Sequence, residues 1–411
     1  MRGAGDQLSI GERIAFYRRR RGLSQVVLAS LVGRTEDWLS KIERGEREIR
    51  RLDVLVEVAR ALRVTLGDLL GEPVLLEDEQ EYDDVPAVRD ALMAPQRLSR
   101  TLFSSMPLEY IDPVPVTRLA ESAWSSYQKG DLGRVVTALP GLIKTTHQME
   151  AASADDAVYR RPCAAVTARV HHLAATTLSK IGEADLAWIA AERAMHAADE
   201  SDDPLVLASA ARSGTHALLA VGRFDDAVEL GEVAARWLRP RMEAGDPAAL
   251  SLYGMLYLRT AVAAARHQDR STASELLAQA GRAAEQLGVD GNYWQTSFGP
   301  SNVELHRISA ALDLGDIPQV IDSAPRITVD HLPLERQVTH LIDLARAFSL
   351  VAKDDDALHT LLMAERKSPG IVRHSAVVRE VGRSMYRRAP ASAGTKSSPL
   401  LALAQRCRAV T

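Results

Sequence analysis

Glu36, Asp37, Ser40 and Lys41 form two pairs spaced four residues apart, Glu36 with Ser40 and Asp37 with Lys41. They lie in the run Thr-Glu-Asp-Trp-Leu-Ser-Lys-Ile-Glu-Arg-Gly at residues 35–45. Positions four apart share one face of a helix. Leu39 and Ile42 fall on the opposite face, which leaves the polar set, with Arg44, pointing outward. Carboxylates, a hydroxyl and an ammonium along one side of a short helix suit base edges in a major groove, where a carboxylate accepts from cytosine N4. Arg18, Arg34, Arg44 and Arg47 flank that face and suit phosphate oxygens. Glu36 and Asp37 also have a purely local reading, because negative charge in a first turn is favoured by the helix dipole. Trp38 suits sugars or a thymine methyl, or else packing beside Leu39.

The elements that would hold this face surround it. Ser24 can cap a helix in which Val27, Leu28 and Leu31 share one apolar face. Gly33 sits where the chain must reverse, and a residue without a Cβ takes a positive φ there without strain. Thr35 then caps the second helix. Residues 8–20 supply a leading amphipathic helix, residues 52–62 a fourth and residues 65–70 a fifth that Gly71 ends. Two short helices about a tight turn, the second displaying polar groups, make a helix-turn-helix.

The pattern Ser24-Gln25, Leu28-Ala29, Val32-Gly33 and Ile42-Glu43-Arg44-Gly45 resembles the Xre, or phage-repressor-like, helix-turn-helix family. The resemblance covers roughly residues 8–70. It implies that Glu36, Asp37 and Lys41, with Ser40 beside them, meet base edges. It also implies that Gln25 braces a phosphate and the recognition helix, and that Thr35 stands with Gln25 and the flanking arginines at the DNA backbone. The acidic pair departs from the Gln or Ser common in the family. A carboxylate repels phosphate, so the surface should be selective rather than adhesive. Charge agrees: residues 1–70 carry 14 Arg or Lys against 10 Asp or Glu, while the whole chain is −4.

The chain of 411 residues has room for two or three domains, and its 5% aromatic content with abundant alanine favours packed helices. The expected fold class is therefore all-α: a five-helix helix-turn-helix domain at residues 1–71, an acidic, proline-containing linker at 72–115 with a short helix at 85–93, a helical-repeat domain at 116–388, and a mobile tail at 389–411 with room for a short helix at its end. The acidic run in the linker reads as a solvated connection or as a shield for the basic face of the DNA domain. From residue 116 a phrase recurs in which small residues stand seven apart, after a glycine in four of its copies. Taking positions 135, 187, 227, 273, 320 and 357 as equivalent, the steps are 52, 40, 46, 47 and 37 residues. A small-residue stripe lets a partner helix approach closely, so each copy should be an antiparallel pair that stacks on the next. The array is similar to tetratricopeptide (TPR) repeats, with longer steps than that family has and little of its tryptophan pattern. A stacked array of this kind presents a concave groove.

One segment is compositionally unlike the rest. Residues 292–302 hold both asparagines of the chain, Asn292 and Asn302, together with Tyr293, Trp294 and Phe298, and lead into a helix bearing His306. Amides and aromatics at this density read as a ligand site in the groove, or as an inter-repeat loop whose rings plug the core.

Cys163 and Cys407 form no ligand spacing, so neither a metal site nor a disulfide framework is indicated, and no cofactor is. His171-His172 with Glu183 and Asp185 has no metal or triad spacing, and no phosphate-cradling glycine loop follows a strand, which argues against an enzyme. No signal core or membrane-length apolar run is apparent, and the expected location is cytoplasmic. The architecture is similar to the peptide-receptor regulators of bacterial quorum sensing and to actinobacterial Xre/TPR regulators. That likeness implies a homodimer on a double-stranded, pseudo-palindromic operator, with a peptide or small-molecule effector in the groove. The alternative is a scaffold that sequesters a partner protein through the same groove.

Overall fold

The computed structural model describes residues 9–20, 23–47, 49, 52–62, 64, 69, 85–95, 110–154, 156–389 and 398–410. The chain divides into two compact units, Met1–Pro86 and Ala87–Thr411.

In the first unit, α1 (Ile10–Arg20), α2 (Gln25–Leu31), α3 (Glu36–Glu43) and α4 (Leu52–Leu62) surround one core. At the start of α1 the Ser9 hydroxyl accepts from the Glu12 amide while Glu12 accepts from the Ser9 amide, a reciprocal cap. Ile14, Leu28, Ala29, Val32, Leu39, Ile42, Val58 and Leu62 form the buried cluster. The expected inner face of α2 is thus rotated: Leu28 is buried, but Val27 and Leu31 are exposed, at 45% and 61%. Ala29 and Val32 take their places because α2 meets the core on its Leu28–Val32 edge, and a two-turn helix is too short for spacing alone to fix its face. Of the expected fifth helix only Leu69, which is buried, lies within the described residues; so does none of the acidic run at 72–84.

The second unit includes most of α5 (Val85–Leu92), whose Arg89 pairs with Glu183 at 3.0 Å. Six helix hairpins follow among the described residues. They are α6 (Pro113–Gln128) with α7 (Leu132–Ala152), α8 (Ala157–Lys180) with α9 (Ala184–Ser201), and α10 (Pro204–Ala220) with α11 (Phe224–Trp237). After the short α12 (Arg239–Glu243) come α13 (Pro247–Arg266) with α14 (Arg270–Leu287), α15 (Pro300–Asp313) with α16 (Ile317–Ser323), and α17 (Leu334–Leu350) with α18 (Asp354–Lys367). The first helices of the hairpins pack on one another in order, and α17 returns to α6, so these six close a ring with the second helices outside it. The ends of the array meet: the first hairpin touches the last, and the Ser368 hydroxyl donates to the Gly130 carbonyl at 2.8 Å.

The six equivalent positions Val135, Ala187, Ala227, Ala273, Val320 and Ala357 are all buried on the second helices. Five residues before each, the chain turns with positive φ. The turn residue is Gly130, Gly182, Gly222 and Gly315 in four hairpins, and Gln268 (φ 63°) and Ala352 (φ 57°) in the others. An L-residue in this left-handed region is strained by about 1–2 kcal/mol. Ala352→Gly is therefore expected to stabilise the second unit by about 0.5–1 kcal/mol, seen as a higher urea midpoint at unchanged slope. A lower midpoint would show that the turn holds no such strain.

Three expectations on this unit change. Pro113 and Pro115 lie in the first turn of α6, capped by Asp112, rather than in a linker, since a first-turn proline gives up no hydrogen bond. The chain end is not wholly a loose tail. After α19 (Pro369–His374) and α20 (Ala376–Arg388), α21 (Pro399–Arg406) packs its Leu403 and Ala404 inward, and Arg406 holds Glu365 through two hydrogen bonds of 2.7 and 2.6 Å. Finally, α13 is long and apolar enough to cross a membrane, with 20 residues and mean hydropathy 1.3, but 78% of its apolar window is buried in the ring. Alanines that meet helices on every side make it so apolar.

Candidate nucleic-acid interface

The position of α3 is set by its ends. Thr35 Oγ1 accepts from the Trp38 amide at 3.3 Å and starts α3. At the other end the Glu43 carboxylate is buried and accepts side-chain hydrogen bonds from Arg18 and Gln25. Arg18 donates from Nε to Oε1 at 2.6 Å and from Nη2 to Oε2 at 2.7 Å, and Gln25 from Nε2 to Oε2 at 2.8 Å. Arg18 also donates to the Leu23 carbonyl at 2.8 Å. One carboxylate thus ties α1 and the start of α2 to the end of α3. Gly11 permits the same approach, for a Cβ there would collide with the Ile42 carbonyl.

This brace corrects one expectation. Arg18 is 8% exposed and faces Glu43, not a phosphate; as a flanking arginine it satisfies the buried carboxylate instead. The exposed side of α3 carries the other polar groups. Glu36 and Asp37 are exposed, Ser40 and Lys41 half-buried, and Leu39 and Ile42 fully buried beneath them. Lys41 Nζ lies 2.7 Å from Asp37 Oδ2, so half of the acidic pair is already countered within the helix. Arg34, Thr35, Arg44 and Arg47 are exposed around this face, while Gln25 is half-buried by its bond to Glu43. Arg44 donates to the Ser40 carbonyl at 3.3 Å and pairs with Glu46 at 3.2 Å. Trp38 packs partly on the core, with the Arg34 guanidinium 5.7 Å from its ring centroid.

Residues 9–72 match the family described as a helix-turn-helix domain. This part of the chain is a helix-turn-helix domain. Relatives are the immunity repressor protein of Bacillus phage phi105, 29% identical over 103 residues, and the HTH-type transcriptional regulator SinR of Bacillus licheniformis, 38% identical over 74 residues. The matches cover 25% and 18% of this chain, and 71% and 63% of the respective relatives. No solved structure matches the chain. The family match spans residues 9–72 of the 411.

Within the second unit, residues 292–302 form a strut across the ring. Asn292 exchanges two amide hydrogen bonds with Gln128 at the end of α6, at 2.9 and 3.0 Å, and its Oδ1 also accepts from the Ser297 amide. Trp294 packs beneath the Arg169 guanidinium, 4.8 Å from the ring centroid, and its carbonyl accepts from Arg212 at 3.3 Å. Gln295 accepts from Arg169 at 2.9 Å. Trp294, Gln295 and Ser297 all hold positive φ, near 50°. Phe298, Asn302 and His306 are buried, and only Asn292 and Tyr293 of the expected ligand contacts are exposed. Asn302 donates to the Thr296 carbonyl at 3.3 Å, and its own carbonyl lies 2.8 Å from His306 Nδ1. Burial, aided by the Arg259 guanidinium, pushes the His306 imidazole down to about 3, so it is neutral near pH 7. Phe298 is thus a core side chain and Asn302 a buried hydrogen-bond donor, while Trp294 faces Arg169 and Arg212.

A wider set of cations inside the ring was not apparent in the sequence. Lys180, Arg212, Arg259 and Arg336 stand singly on α8, α10, α13 and α17, tens of residues apart, with no local motif to join them. Only closure of the ring brings them together.

Proposed function

We propose that the protein is a sequence-specific, DNA-binding transcriptional regulator of the Xre type, working in the cytoplasm as a homodimer on a two-fold operator. Glu36, Asp37, Ser40 and Lys41 read base edges, and Gln25, Arg34, Thr35, Arg44 and Arg47 meet the backbone. The observation that carries this reading is the Glu43 brace: it fixes a short helix whose exposed side is entirely polar while its apolar side is spent on the core. The ring of TPR-like hairpins is the sensor, and an effector held there shifts the population of DNA-competent states by binding one state better than the other.

Genome-wide mapping of bound sites tests this directly: symmetric, recurrent sites are expected, and their absence would remove the regulator reading. At single residues, Lys41→Ala should reduce operator preference by about 1–3 kcal/mol. Arg44→Ala should instead weaken binding to all sequences alike and flatten the salt dependence. Competition titrations against operator and random duplex separate the two. An unchanged operator preference for Lys41→Ala would take it out of the reading set.

A further inference from the structure

The inside of the hairpin ring concentrates positive charge. Lys180, Arg212, Arg259 and Arg336 act on one another's charge there, and two carboxylates face them, Glu335 at contact distance and Asp343 farther off. Glu335 is fully engaged: Lys180 Nζ lies 2.6 Å from its Oε1, and the Arg336 fork holds both oxygens at 2.6 Å. Lys180 reaches Glu335 and Thr339 from the second hairpin to the sixth, so these groups share one confined interior. Arg212 and Arg259 have no carboxylate at ion-pair distance among the described residues. Arg212 is 9% exposed, its Nε has no hydrogen-bond partner, and its one hydrogen bond goes to the Trp294 carbonyl. Arg259 makes neither hydrogen bond nor ion pair among the described residues.

Other charges nearby are committed elsewhere. Arg169 lies against Trp294 and Gln295, and Arg266 and Arg346 both pair with Asp313. His172 and His306 are buried, and His216 sits beside the arginines; burial and those arginines hold all three imidazoles neutral, so none adds or removes charge at pH 7. Burial and then the neighbouring guanidiniums push Arg212 down to about 9 and Arg259 down to about 10. A buried guanidinium, Arg212, and a half-buried one, Arg259, without an ion-pair partner at contact distance are unfavourable unless something anionic joins them. The side chains of Arg336 and Lys180 keep 12% and 19% exposure, so solvent reaches the cluster.

We propose that the ring interior is a binding site for a small polyanion, a metabolite with two or more phosphoryl or carboxylate groups, held by Arg212, Arg259, Lys180 and Arg336. Guanidinium forks match both oxyanions in bidentate geometry. A site with an excess of positive charge concentrates such ions. Trp294, whose carbonyl Arg212 now holds, lies at the edge of the site, so a bound anion competes with the strut for Arg212. The proposal names a ligand class for the sensor and in that respect rests on the sensing reading, while the binding itself needs no DNA.

The test is thermal unfolding and calorimetric titration of the full chain without DNA, using inorganic pyrophosphate and citrate at constant ionic strength, with chloride as reference. A saturable rise in Tm is expected with at least one probe, and the preferred probe tells phosphoryl from carboxylate recognition. Arg259→Met and Arg212→Met should each weaken binding about tenfold or more. Without anion they should melt no lower than the parent, since each removes an uncompensated charge. Arg44→Ala, on the DNA face, should keep the full response. The proposal is overturned if neither probe stabilises the parent, if both Met variants respond as the parent does, or if both melt lower without anion, which would make these arginines structural. None of these results bears on operator binding, which the site mapping tests separately.

Discussion

Glu43→Ala is expected to unfold the helix-turn-helix domain while leaving the hairpin ring intact. The Glu43 carboxylate is buried and accepts from both Arg18 nitrogens and from Gln25. Removing it strands a buried guanidinium without counter-charge, which destabilises by about 3–5 kcal/mol. A domain of this size is stable by only some 3–10 kcal/mol, so most of its margin goes. Hydrogen exchange on the full chain should show protection within residues 10–43 falling by about two orders of magnitude or more, since each 1.36 kcal/mol is tenfold. Protection within residues 113–388 should not change. Replacing both partners together, Arg18→Met with Glu43→Leu, should recover much of the loss, because the largest penalty is the orphaned charge and not the missing attraction. Parent-like protection in Glu43→Ala would mean that the brace does not hold α3.

Phe298→Ala should be the most damaging single change in the ring, by about 3–5 kcal/mol. Its side chain is fully buried and lies against Gly254 of α13, where a Cβ would fall inside the phenyl ring. Around it Met255, Leu258, Ala261, Leu276 and Val303 complete one cluster. The reciprocal change, Gly254→Ala, overfills the same notch and should cost about 1–3 kcal/mol. Urea unfolding of the full chain measures both as shifts in midpoint. A Phe298→Ala protein within about 1 kcal/mol of the parent would contradict core packing and return Phe298 to the ligand contacts. Trp294→Ala separates the two roles of the strut, because Trp294 is partly exposed against Arg169 and holds a positive φ that alanine does not relieve.

How far the sequence alone could be read depended on the range of each interaction. The helix-turn-helix is local: Ser24 and Thr35 cap through hydroxyls three residues from their amides, and Gly33 turns the chain where φ must be positive. Such bonds are encoded within a single turn, so the spacing of a few residues determined α2, α3 and the polar face between Glu36 and Lys41. The hairpins were legible for the same reason, through small residues seven apart and glycine five before. The two hairpins turning at Gln268 and Ala352 kept only the small-residue half of that signal. What spacing could not determine was any fact about partners distant in sequence. Arg18 looks like a phosphate ligand until Glu43, 25 residues on, is placed beside it. Val27 and Leu31 look like core until α2 is docked on its other edge. Phe298 and Trp294 sit four residues apart in one unusual segment, yet only tertiary packing sends one into the core and the other against arginines. Ring closure was the least legible feature of all. It depends on the summed small rotations of six hairpins, which no single repeat encodes, and it alone gathers Lys180, Arg212, Arg259 and Arg336 from four helices into one field.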